Sequence, residues 1–213
     1  MKRTIWRSPV SGAELTFDRL GRCFINEETR ECFSVSRYGI GDFLDGRKIH
    51  YASVKKGGKL CRDCLSLLSV RPGDRVLEIG VGTGTNLKRL PAAAKYYGTD
   101  TSMRKLKQCA RHKIKDHLPL RLCRCDMQAL PFVSDSFDSV FCFSGLKNVP
   151  SPQLVLNEMV RVARPGAKLI LVEKGKRLAG LFPPEADNLQ ITELNCGDYY
   201  SMTFWKPENQ AGI

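Results

Sequence analysis

Residues 76–86 read VLEIGVGTGTN, a short apolar run with an acid at 78 and glycines at 80, 82 and 84. The apolar run has the make-up of a strand buried on both faces, and the glycines fall where it must turn into a helix. At such a turn the missing Cβ lets backbone approach a ligand closely. A dinucleotide fingerprint would place its third glycine at 85, which is Thr85, and its glycines serve a pyrophosphate. The third glycine here is Gly84 and an acid stands at Glu78, which favours a ligand without phosphate.

Downstream, further β-like runs alternate with amphipathic stretches: KYYGTD (95–100), LRLCRCD (120–126), DSVFCFSG (138–145) and KLILVEKG (168–175). That alternation predicts a parallel sheet covered by helices. Ser102 is placed to cap a helix through Leu106, Cys109 and Ala110. Ser151-Pro152 starts another, with Leu154, Val155, Met159 and Val162 on one face and an end at Arg164-Pro165-Gly166. LQITEL and YYSMTFW, flanking Asn195-Cys196-Gly197-Asp198, predict an antiparallel hairpin. The expected fold class is α/β, a Rossmann-like sheet, parallel with a C-terminal hairpin, plus a small β-rich N-terminal segment. The expected division is residues 1–44 for that segment, with β-like pieces near 14–17, 22–25 and 32–35, and residues 45–213 for the main domain.

Asp100 closes the second run, where a carboxylate at the sheet edge can accept both hydroxyls of a ribose. Asp126 closes the third, where it can accept from an adenine amino group. Either acid alone reads equally well as a helix cap or a solvated turn. Beside the glycine loop, the two converge on one pocket.

VLEIGVGTGTN, GTDTS, CDMQALPFVSDSFDSV and SGLKNVPSPQLVLNEMVRVARPGAKLILVE resemble, in order, the successive motifs of class I S-adenosylmethionine-dependent methyltransferases, above all the ubiquinone and menaquinone C-methyltransferase group, over about residues 74–175. The resemblance implies an enzyme that uses S-adenosyl-L-methionine. It implies Glu78, Gly80, Gly82 and Gly84 beside the methionine part of that cofactor and Asp100 with Thr101 at its ribose. Asp126 by side chain and Met127 by backbone amide would meet the adenine, with Phe143 or Ser144 under the sulfonium and Lys147 and Asn148 on the acceptor side.

A sulfonium carries its own leaving group, so the protein chiefly aligns the nucleophile and excludes water. A base is needed only where the nucleophile must lose a proton. His50 and Tyr51, just ahead of the helix leading into the first run, are the residues best placed to act catalytically; a surface histidine in a basic linker is the competing reading. The fourth run lacks the Asp/Asn-Pro-Pro-Tyr of amino-methylating nucleic-acid enzymes, and no Pro-Cys pair supplies a thiol for pyrimidine chemistry.

The chain departs from the quinone group in its short span 174–188, which cannot form a helical insert over the acceptor. It departs again at the N-terminus. There SPVSGAELTF and FSVSRYGIGDFL resemble the zinc-ribbon module of methyltransferase-activating Trm-type proteins and of a bacterial ribosomal-RNA guanine methyltransferase family. Those modules open with Cys-Pro-x-Cys, whereas this chain has Ser8 and Ser11, and serine is a poor zinc ligand. No metal is expected, either there or at Cys61-x-x-Cys64 and Cys123-x-Cys125, which fall on a helix and a strand.

The formal charge of +12 comes wholly from the first 130 residues. Arg47 to Arg62 and Arg104 to Lys115 each hold six basic side chains and no acid. A solvated surface explains such runs, and so does an anionic partner. Nine scattered cysteines imply reduced thiols, and the chain has neither an apolar stretch of about 18 residues nor a signal-peptide start, so the expected location is cytoplasmic, with no membrane span. Three functions follow as expectations: methyl transfer to a small-molecule or lipid-like acceptor, methyl transfer to RNA through the basic half, or a non-catalytic binding partner that keeps the fold.

Overall fold

The computed structural model describes residues 4–49, 51, 65–87, 90–91, 93–116, 119–147, 149–195 and 198–208, the side chains of 112–116 and 195 excepted. His50, Asn148 and the cysteine pair at 61 and 64 lie outside the described residues, as does most of the first basic stretch. The strands are β1 (Thr16–Asp18), β2 (Cys23–Asn26), β3 (Glu31–Ser34), β4 (Ile40–Asp42), β5 (Arg75–Ile79), β6 (Lys95–Asp100), β7 (Leu120–Arg124), β8 (Phe137–Phe143), β9 (Ala163–Lys174), β10 (Asp187–Asn195) and β11 (Asp198–Trp205). The helices are α1 (Met103–Asp116), α2 (Pro152–Val162) and the single turn α3 (Gly175–Leu178).

The large sheet has the order β10-β11-β9-β8-β5-β6-β7-β4. From β4 to β9 the neighbours run parallel, and β11 and β10 close the far edge antiparallel. The continuous apolar runs of β5, β8 and β9 are buried on both faces, as parallel strands between helical layers must be. Helix α1 turns Leu106, Cys109 and Ala110 inward and leaves Arg104, Lys107 and Arg111 in solvent. Lys105 donates its N–H to Ser102 Oγ at 3.4 Å, the cap the sequence predicts.

Two boundaries differ from expectation. Helix α2 stops at Val162 rather than at 164–166, and β9 begins at Ala163. Arg164 is drawn to Asp138 at the start of β8, 2.5 Å away, so pairing with β8 outcompetes another helical turn. The second difference lies at residue 44, after which the main domain was expected to start. Strand β4 already belongs to the large sheet, pairing Ile40 with Leu122 and Asp42 with Arg124.

The N-terminal segment is also packed into the large core. Trp6 bridges to Phe132 in antiparallel fashion, and Val133 donates its N–H to Ile5 O at 2.9 Å. The Trp6 ring lies 4.6 Å from Phe24, 5.5 Å from Phe43 and 5.0 Å from Phe132 by centroids. Gly41 sits under this group, where a Cβ would come within 2.8 Å of Phe43 and 3.0 Å of Phe24.

Strands β1, β2 and β3 form a separate antiparallel sheet in that order. Ser8 and Ser11 each donate a hydroxyl to Glu31, one to each carboxylate oxygen at 2.5 Å. Thr29 adds a third donor at 2.7 Å, and Ser8 Oγ accepts the N–H groups of Val10 and Ser11. A carboxylate thus ties the turn together from its centre. Burial pushes the Glu31 pKa up, but the donors from Ser11, Ser8 and Thr29 outweigh it and hold the group below the usual range. A depressed folded-state pKa contributes stability that is present above the ordinary carboxylate range and lost as pH falls through the folded value. Acid titration followed by proton exchange should therefore loosen residues 8–13 and 29–31 first, and Glu31→Gln should remove that acid dependence.

Candidate active site

The carboxyl ends of the parallel strands lie along one edge of the sheet, and the strand order reverses around β5, flanked by β6 and β8. A reversal of this kind opens a crevice at the strand ends. The loop after β5 enters it. Val81 donates its N–H to Thr99 O at 2.8 Å, which anchors the loop to β6, and Glu78, 2% exposed, accepts from Asn86 Nδ2 at 2.7 Å across its base. Gly80 and Gly82 have φ of 72° and 59°, the left-handed region, and a Cβ at either would meet nothing within 4 Å. Their open sides form a cradle that a larger residue would fill. Gly84 differs: a Cβ there would lie 2.7 Å from Cys109 Sγ and 2.9 Å from Leu87 Cδ1, so its smallness serves packing against α1.

Two acids flank the cradle. Asp100, at the end of β6, accepts the N–H of Gly82 at 3.0 Å and of Ser102 at 2.8 Å, one on each oxygen. It is therefore held to the glycine loop itself. Thr101 beside it is buried, and its carbonyl accepts from Arg124 Nε at 2.9 Å. Arg124 also pairs with Asp42 of β4 at 3.1 Å, a tie between the N-terminal strand and the crevice wall that the sequence reading missed. Asp126, just past β7, accepts from Tyr51 Oη at 2.7 Å and from the Gln128 N–H at 2.9 Å. Met127 is 6% exposed and packs into the core.

Tyr51, read from the sequence as a catalytic candidate, lies against Asp126. Burial and the Asp126 carboxylate push its pKa well above the ordinary tyrosine value, so near neutral pH the hydroxyl keeps its proton and donates it. The Phe143 ring is fully buried, 5.2 Å from that of Phe141, and Ser144 beside it at the end of β8 is buried as well.

On the other side of the crevice, Ser144 has φ of 51° and donates its N–H to Val172 O at 2.7 Å. Leu146 donates its N–H to Glu173 Oε2 at 3.0 Å, and the other oxygen of Glu173 takes the Lys174 N–H and Arg177 Nη1, both at 3.0 Å. Glu173 is fully buried, and it shapes the loop that carries Lys147, whose side chain is exposed. Glu173 and Arg177 were not picked out from the sequence. Their available signal was an acid ending the apolar run of β9, with a cation four residues later.

A cavity of about 390 Å³ lies at the opposite end of the sheet, among Lys168, Trp205, Arg164 and Asp138. Arg164 pairs there with Asp138, while Lys168 donates to Leu67 O and lies 4.7 Å over the Trp205 ring. The chemistry of the crevice does not reach it. Cys23, Cys32, Cys109, Cys123, Cys125 and Cys142 are free thiols, and burial pushes the Cys125 pKa upward. Among the described residues, no three of His, Cys, Asp or Glu are grouped to hold a metal.

Residues 77–171 match the family described as methyltransferase domain. The chain is 38% identical over 103 residues to the demethylmenaquinone methyltransferase of Renibacterium salmoninarum, covering 48% of this chain and 42% of that one. To the ubiquinone/menaquinone biosynthesis C-methyltransferase of Cupriavidus necator it is 33% identical over 111 residues, covering 50% and 46%. The chain thus spans less than half the length of either relative. Its fold superposes on Haemonchus contortus phosphoethanolamine N-methyltransferase 2, solved in complex with S-adenosyl-L-methionine, with a TM-score of 0.61 at 14% identity over 71% of this chain and 53% of that one. The glycine loop, the strand order and the family match agree: residues 77–171 resemble a methyltransferase domain, on a sheet of the fold that S-adenosylmethionine-dependent methyltransferases share.

Proposed function

We propose that this protein transfers a methyl group from S-adenosylmethionine to a small-molecule or lipid-like acceptor, of the quinone-related kind that the names of its relatives point to. The observation that carries the reading is the cradle itself: two glycines with open Cβ positions, one of them held by Asp100, with Asp126 past the end of the neighbouring strand. In this reading, Gly80 and Gly82 admit the methionine part and Glu78 holds the loop from beneath. Asp100, with Thr101, takes the ribose hydroxyls, and Asp126 and Met127 take the adenine. The bound cofactor supplies an electrophilic methyl on a sulfonium, and the protein's work is to hold the acceptor in line and keep water away.

The acceptor would enter past Ser144–Lys147. Beyond it, Phe182 is 71% exposed, and its backbone is held to α2 by Gln153 through both N–H and carbonyl, at 3.2 and 2.7 Å. In this proposal the N-terminal residues are part of the transferase fold rather than a separate unit, because β4 is a strand of its sheet.

Titration calorimetry should show binding of S-adenosylmethionine and S-adenosylhomocysteine and none of NAD, since the loop lacks the third glycine a pyrophosphate needs. Tighter binding of NAD would overturn the reading. Incubation with labelled S-adenosylmethionine and cell extract, split into RNA and small-molecule fractions, then identifies the acceptor class; label in the lipid-soluble fraction is expected.

RNA as acceptor is a second reading, favoured by the solvent-facing row Arg104, Lys107 and Arg111 on α1. Changing these three to Gln should lower RNA affinity and flatten its salt dependence, because each phosphate contact releases about one counterion. No described helix is long and apolar enough to cross a membrane.

A further inference from the structure

The hydrogen bonds around Asp126 are uneven. Oδ1 takes Tyr51 Oη at 2.7 Å, the Gln128 N–H at 2.9 Å and, more distantly, Gln128 Nε2 at 3.5 Å. Among the described residues, no donor reaches Oδ2. An ionised carboxylate oxygen accepts two strong hydrogen bonds, so Oδ1 is saturated, and the acceptor capacity that remains belongs to Oδ2.

The donors are themselves held in place. Gln128 Nε2 donates to Tyr51 Oη at 2.9 Å, and Gln128 Oε1 accepts the Ser151 N–H at 3.0 Å, which determines the end of the amide that faces Asp126. Ser151 leads directly into α2, so the chain of contacts runs from the acid to the first turn of that helix. Tyr51 is half-buried, and its raised pKa keeps the hydroxyl a donor throughout the neutral range.

We infer that Tyr51 and Gln128 are positioning residues that select the base of the cofactor: by filling Oδ1 of Asp126 they leave Oδ2 as its acceptor for an amino group on the bound base. The inference rests on the proposed role of Asp126 at the adenine. A purine with an amino group at its six-position donates to Oδ2, whereas one with a carbonyl there sets lone pair against lone pair. If Asp126 were free to rotate, it could turn either oxygen toward the ligand or swing out of the way, and the discrimination would soften.

The test compares S-adenosylhomocysteine with S-inosylhomocysteine by calorimetry on the full chain and on Tyr51→Phe, Gln128→Leu and Asp126→Asn. The unaltered protein should prefer the adenosyl form by at least about tenfold, the effect of one charge-assisted hydrogen bond. Tyr51→Phe should weaken adenosyl binding roughly three- to tenfold, the range for one lost donor, and bring the two ligands correspondingly closer together. Gln128→Leu should act in the same direction and keeps the test open if the tyrosine variant folds poorly. A merely structural role would change both affinities together and leave their ratio in place, which overturns the inference. Tighter adenosyl binding by Tyr51→Phe also overturns it, because the hydroxyl would then be a competitor for Asp126.

Asp126→Asn separates this failure from a failure of the underlying reading. It replaces the acceptor with an amide that can donate to a six-carbonyl, so the preference should collapse. If Asp126→Asn leaves the ratio unchanged, the acid does not touch the base, and both the site assignment and the inference fall. If it collapses the ratio while Tyr51→Phe does not move it, the inference alone falls.

Discussion

Replacing Trp6 by Ala is expected to destabilise the protein by about 3 to 5 kcal/mol, the usual cost of emptying an aromatic site in a core. The ring is 7% exposed and lies against Phe24, Phe43 and Phe132, which come from β2, the end of β4 and the loop before β8. It therefore joins three parts of the chain that are remote in sequence. The small sheet buries too little to stand alone, and β7 without β4 presents an unpaired edge. Urea unfolding followed by tryptophan-independent circular dichroism checks the prediction. A loss below about 1 kcal/mol, within the ordinary scatter for point substitutions, would mean that the aromatic group is not a shared core.

Asp100→Ala is expected to weaken S-adenosylhomocysteine binding by about 1.5 to 3 kcal/mol, roughly 10- to 150-fold, the range for a hydrogen bond to a charged group. The structure gives a second reason for a large effect. The same carboxylate holds Gly82 N–H on one oxygen and Ser102 N–H on the other, so its loss frees the loop as well as the ribose contact. Asp100→Asn separates the two effects: its amide carbonyl keeps one backbone partner, while its NH₂ faces an N–H or a hydroxyl less well. Calorimetry on both variants should place Asn between the parent and Ala. Unchanged affinity in the Ala variant would show that the ribose lies elsewhere.

The feature read most directly from the sequence was the alternation of apolar runs with amphipathic stretches. That signal is local: β6 spans 95–100 as read, and the other parallel strands differ mostly at their ends. The largest difference is at the start of β9, where Arg164-Pro165-Gly166 reads locally as a helix stop but β8 and Asp138 compete for Ala163 and Arg164. The glycine spacing and the two acids were equally legible, because strand ends and turns announce themselves within a few residues.

What the sequence could not show is how side chains at those positions are divided among partners. Asp126 lies 75 residues from Tyr51, and nothing local to either says that the hydroxyl meets that carboxylate. Glu173 and Leu146 are separated by 27 residues, yet the buried acid shapes the loop after β8. Gly84 looked like one more cradle glycine until the packing of Cys109 against it came into view. Strand β4 looked like the tail of a separate segment, and only the exposed edge of β7, created by the order of the whole sheet, made it part of the large one. Sequence by itself determined the period of the chain and the chemistry available at each turn, because both depend on neighbours along the backbone. Which residues share a carboxylate, and which face a ligand, depend on contacts between distant segments, and those exist only once the sheet has assembled.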